Sequence, residues 1–144
     1  MTGTGRGLQC RLARLEDRAD LETRWRKLEA VCRPAFFLGW NWIGTWLDTL
    51  AVAPWVVEVR LGEETVALAC FEVRATVRRK IVRSRTLYLN ETGDPARDVV
   101  TLEYNRILCH PDHARAAEDA ALDALLAKRG ELWDELYVRN APQD

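Results

Sequence analysis

Leu87-Tyr88-Leu89-Asn90-Glu91-Thr92-Gly93-Asp94-Pro95 is the run on which the reading of this chain turns. Leu87 and Leu89 alternate with Tyr88 and Asn90, the period of a half-buried strand, and Gly93 and Pro95 then break it. The polar residues Asn90, Glu91 and Thr92 therefore stand where a strand ends and a loop opens. An extended return from Thr101 to Leu108 is predicted to place Glu103 and Asn105 on one face and Leu102 and Tyr104 on the other. Glu91 and Glu103 then approach one cleft, either to hold a substrate amine or to cap local loop amides.

Towards the amino terminus the pattern alternates helices with strands. Leu8 to Leu15 reads as a first strand with one wet face. Leu21, Trp25, Leu28 and Cys32 share one face of a helix that begins near Asp17 or Asp20 and stops before Pro34. Phe36 to Leu50 carries Ile43, Trp46, Leu47 and Leu50 at helical spacing, and Trp40 and Trp42 fall near its start. There the rings either seal the core or line a pocket mouth. Trp55 to Leu61 reads as a strand, Gly62-Glu63-Glu64 as a turn, and Thr65 to Val77 as a long return, apolar on both faces at first and alternating later. Arg78-Arg79-Lys80, with Arg83 and Arg85, forms a cationic hairpin end that suits a phosphate or simply blunts a sheet edge.

Beyond the central run, Cys109-His110-Pro111-Asp112-His113 leads into a helix whose face is Ala114, Ala117, Ala121 and Leu125. Gly130 follows as its left-handed cap, and Trp133 to Arg139 closes as a strand. The HxxH spacing of His110 and His113 is met by a proline at the helix start. His110 is therefore expected as an exposed helix-start residue, not as a metal ligand or general base. The order of elements predicts an α+β or layered α/β domain, with helices covering a mostly antiparallel sheet.

Composition bounds the rest. The chain has 144 residues, 48% of them hydrophobic and 30% charged, with a net charge of −1, which implies one folded domain and no nucleic-acid partner. No apolar run nears the roughly 18 residues of a membrane span, and the start Met1-Thr2-Gly3-Thr4 lacks a signal-peptide core, so a cytoplasmic location without membrane contact is expected. The four cysteines form no CxxC pair, so no metal site is expected and the thiols are expected reduced.

Leu89-Asn90-Glu91-Thr92-Gly93-Asp94-Pro95 followed by Thr101-Leu102-Glu103-Tyr104-Asn105 resembles the amino-terminal half of bacterial CelD-like (Fem-like) acyltransferases, members of the GNAT superfamily that carry two GNAT-like halves. Trp25 to Glu29, Pro34 to Leu47 and the basic turn Arg78-Arg79-Lys80 follow in the order that family shows, so the resemblance runs from about Leu8 to Asn140. It implies a single GNAT-like domain over residues 1–144, with a core at 8–140 and a disordered tail at 1–7. It also implies acyl transfer from an acyl-coenzyme A to a small-molecule amine acceptor. Glu91 or Glu103 would position the amine, Asn90, Tyr104, Asn105 and Trp40 would bind substrate, and Arg78, Arg79 and Lys80 would contact an anion.

One departure matters. The family's coenzyme pyrophosphate sits on a glycine-rich turn at a helix start, whereas this helix starts His110-Pro111-Asp112-His113-Ala114-Arg115. The expectation is one incomplete lobe that pairs with a second GNAT-like lobe or with its own copy. The alternative is a non-catalytic binding or assembly module.

Overall fold

A computed structural model of the chain describes residues 7–94, 96 and 105–138. The chain runs β1 (Leu8–Arg14), α1 (Arg18–Cys32), a 3-10 turn (Phe36–Leu38), α2 (Trp40–Asp48), β2 (Trp55–Leu61), β3 (Glu64–Arg78), β4 (Val82–Leu89), β5 (Leu108–Cys109), a 3-10 turn (Pro111–His113), α3 (Ala114–Leu126) and β6 (Glu135–Tyr137). The predicted order of elements is the observed one. Strands β1 to β4 pair antiparallel in sequence order, β6 adds in parallel to β4, and β5 pairs with β3. The sheet lies between two helical layers.

Alternation along the strands divides the core between those layers. Leu68 and Cys70 of β3 and Val56 of β2 pack under α1 and α2 against Leu21, Trp25, Leu28, Trp40, Ile43 and Leu47. Ala67, Ala69 and Phe71 face the other way, onto Ala117, Ala121 and Leu125 of α3 and onto Trp133. Small alanines let α3 lie close to the sheet. Trp133 closes the bottom of that layer by donating its indole N–H to the Leu125 carbonyl at 2.9 Å.

Local chemistry sets the element ends. Asp17 caps α1, its carboxylate accepting from the Asp20 N–H at 3.0 Å, a contact type worth about 0.5–2 kcal/mol. At the other end Arg33 is excluded from helix by Pro34 and adopts φ 47° and ψ 58°, in the left-handed region. Gly62, at φ 63°, makes the tight β2–β3 turn.

Several expectations are corrected. Of the long return expected from Thr101 to Leu108, residues 101–104, Glu103 and Tyr104 among them, lie outside the described residues, Asn105 to Ile107 are outside any strand, and β5 takes up Leu108–Cys109. Gly130, at φ 83°, sits in the Arg129–Trp133 turn and does not cap α3, which ends at Leu126 with Ala127 as its cap. The closing strand is Glu135–Tyr137, because Trp133 is drawn under α3 and Asp134 is held by Arg85. The carboxyl half of β3, with β4, forms a ribbon whose tip exposes Val77 (61%) and Ile81 (85%).

Candidate functional site

The strand end at Asn90 is the pivot of the site. Period-2 reading makes Asn90 a wet-face residue, yet it is buried at 1% exposure with φ 51°. Asparagine tolerates that left-handed backbone, and its amide can stand in for a peptide group. It does so here. The Asn90 N–H donates to the Cys70 carbonyl at 2.7 Å, while Asn90 Oδ1 accepts from the Cys70 N–H at 3.0 Å. Asn90 Nδ2 donates to Asn105 Oδ1 and to the Arg106 carbonyl, each at 3.1 Å, and Asn105 Nδ2 donates to the Leu89 carbonyl at 2.8 Å.

This knot hands the β3 edge from β4 to β5. Strand β4 pairs with β3 as far as Phe71, and β5 resumes at Leu68 and Ala67, continued by His110 N–H to Val66 O at 2.8 Å. Strand β6 accompanies β4 only over Thr86 to Tyr88. Past that point, among the described residues, β5 has no neighbour on its outer side and the sheet opens.

At that opening lies a cavity of about 420 Å³. One wall is the end of α1 and its connection, with Cys32, Arg33, Pro34, Ala35 and Leu38; the other is Arg106 to Cys109, with Pro111 and Ala114 at the start of α3. The Cys32 thiol donates to the Cys109 carbonyl at 2.9 Å across the gap. Burial raises both thiols, Cys109 up to about 12 with Glu118 adding and Arg106 opposing, so at neutral pH they are thiols and not thiolate nucleophiles.

The 3-10 turn that leads into α3 leaves phosphate no free amide. Pro111 has no N–H, the Asp112 N–H donates to His110 Nδ1 at 3.2 Å, and the His113 N–H donates to the His110 carbonyl at 3.0 Å. The Asp112 carboxylate adds a negative charge where the helix dipole would otherwise favour an anion. His110 is also more covered than its sequence context suggests, with its side chain 14% exposed. Among the described residues no group of three or more His, Cys, Asp or Glu is arranged to hold a metal.

The remaining sequence candidates are dispersed. Glu91 is buried beside the knot at 3% exposure, while Thr92 and Asp94 line a separate cavity of about 300 Å³ with Glu72 and Arg74. Gly93 is required by its φ of 75° and by Tyr88, whose ring a Cβ there would strike. Trp40 belongs to the core, its ring 6.2 Å from that of Trp25 and its backbone N–H donating to Glu29 Oε2 at 2.6 Å. Arg79 and Lys80 form the ribbon turn next to the Arg78–Val82 pair, ten residues along β3 from Leu68, or about 33 Å at strand rise. Arg85 is committed elsewhere: it clamps Asp134 at 3.0 Å and holds that carboxyl down at about 2.

The cavity-lining arginines Arg33 and Arg106 were not singled out as ligand groups from sequence. Nothing local marks them, since what sets them apart is the lack of a carboxylate partner in space among the described residues.

No family model matches the chain, and no curated protein matches it. Among solved structures it is similar to the crystal structure of ribosomal-protein-alanine N-acetyltransferase from Brucella melitensis biovar Abortus 2308, with a TM-score of 0.55 and 17% identity over 95% of this chain and 81% of that one. This likeness shows the fold: a GNAT-like α+β sheet flanked by helices.

Proposed function

We propose that this chain is an acceptor-binding lobe of an acyltransferase of the two-lobed, CelD-like kind, with the coenzyme phosphates bound by a second lobe. The observation that carries the reading is the pairing of a 420 Å³ cavity at the opening of the sheet with an adjacent 3-10 turn, Pro111–His113, whose amides are absent or already used. A cavity of that size suits a small molecule. Its walls are rigid, because the Asn90–Asn105 knot fixes Arg106 and the left-handed turn before Pro34 fixes Arg33. In this role Asn90 and Asn105 act as positioning residues. The chain contributes orientation and exclusion of water, by which a held acceptor gains much of its reactivity.

The occupied 3-10 turn also favours a second reading, a binding or assembly module with the fold but no chemistry of its own. Both readings predict that the isolated chain ignores acetyl-coenzyme A. In a thermal-shift titration with adenosine diphosphate as the phosphate control, binding at ~100 times the dissociation constant would stabilise the fold by about 2.7 kcal/mol. Such a shift would overturn the split-lobe reading. The two readings part on acceptor binding: a folded chain that binds no small amine or amino acid at the cavity is a module without chemistry.

A further inference from the structure

Arg33 and Arg106 stand at the rim of the same cavity, both exposed, and neither guanidinium is engaged in an ion pair or side-chain hydrogen bond among the described residues. Other arginines are used: Arg18 on Asp48, Arg24 on Glu58, Arg74 on Asp94 and Arg85 on Asp134. The two rim arginines also leave from fixed points. Arg33 ends α1 in a left-handed conformation, its N–H donating to the Glu29 carbonyl at 2.9 Å. The carbonyl of Arg106 is tied to Asn90 Nδ2 at 3.1 Å.

Among the described residues that line it none is a carboxylate, and its thiols are neutral, so the two arginines set the charge of the lining. Between the guanidiniums and the sheet the surface is apolar, with Pro34, Leu38, Ile107 and Leu108. Planar guanidiniums suit a carboxylate, which they can grip through paired N–H donors.

Resting on the acceptor-lobe reading above, we propose that the acceptor is an apolar amino acid whose carboxylate is held by Arg33 and Arg106 and whose side chain lies against Leu38 and Ile107. Polyamines and other purely cationic amines are excluded by the same two charges. Specificity then comes from an anion grip at the rim and an apolar floor.

The test is a titration of the folded full chain followed by amide NMR, using L-phenylalanine, 3-phenylpropionate (the acid without the amine), phenethylamine (the amine without the acid) and inorganic phosphate. L-phenylalanine and 3-phenylpropionate are expected to shift the amides of Arg33, Ala35 and Ile107 to Cys109, whereas phenethylamine leaves them in place. Arg33→Gln and Arg106→Gln should each weaken both acids about 10-fold or more, as the loss of a charged hydrogen bond predicts, with partial recovery in Arg106→Lys. Phenethylamine binding as tightly as L-phenylalanine at those amides would overturn the carboxylate grip yet leave the acceptor pocket standing. Phosphate binding as tightly as L-phenylalanine would overturn the apolar selection. Silence from all four in a folded chain would overturn this inference and the acceptor-lobe reading together.

Discussion

Two polar clusters border β5 and have opposite fates. Asn90 and Asn105 are buried and spend their amides on each other and on the backbone of Cys70, Leu89 and Arg106. Arg33 and Arg106 lie at the rim with no carboxylate partner among the described residues. The first cluster builds the opening in the sheet and the second is free to meet what enters it. Polarity alone does not mark a binding residue; what marks it is hydrogen-bonding capacity left over once the fold is made.

The largest effect that could break this contrast belongs to Asn90. Asn90→Ala strands the buried Cys70 N–H and the Asn105 amide, and puts alanine at φ 51°, so unfolding in urea should show a loss of about 3–5 kcal/mol. A loss below about 1 kcal/mol would mean that the knot is not structural. Asn105→Ala should cost less, and a double-mutant cycle between the two should report coupling of about 0.5–3 kcal/mol.

Next comes Gly93→Ala, expected to cost about 1–3 kcal/mol through its left-handed backbone and the Tyr88 ring. In a Tyr88→Ala background part of that cost should vanish, which separates collision from backbone strain.

The Arg85–Asp134 clamp gives a pH signature. Asp134 is held at about 2, below its ordinary 3.8, so its contribution is present above about pH 4 and is lost as pH falls through 2. Acid melting curves should therefore drop over that window, and Asp134→Asn should flatten the drop. The pair is largely exposed, and salt should weaken the effect.

The smallest effect sharpens the other side of the contrast. Arg33→Gln and Arg106→Gln should each change stability by no more than about 0.5 kcal/mol in the same urea measurement. A large loss from either would show that the arginine serves the fold.

Much of the fold was legible because it rests on periodicity. Leu21, Trp25 and Leu28 announced the buried face of α1, and Ala117, Ala121 and Leu125 that of α3. The site was less so. Asn90 falls in phase with a wet strand face, and only the turn it makes at Cys70 puts it inside. Trp40 lies at a helix start, where sequence allows either a pocket mouth or the core, and the approach of Trp25 decides for the core. Arg33 could be read from sequence only as a residue before proline, and Arg106 as a charge among many. Their shared cavity arises from the meeting of α1 and β5, which no local pattern encodes.

The β3–β4 ribbon has a consequence for how copies of the chain tolerate one another. Its β4 edge at Val82 to Ser84 lies beyond the reach of β6, and Val77, Ile81 and Val82 are bare there, so the tip is a template on which a neighbouring strand can add. Arg79, Lys80 and Arg83 act as gatekeepers, since two tips brought edge to edge would crowd their cations. That protection reaches only as far as the ionic atmosphere allows, about 10 Å at 0.1 M salt and 3 Å at 1 M. Colloidal behaviour should therefore follow ionic strength, with dispersed chains in dilute buffer and growing association in concentrated salt.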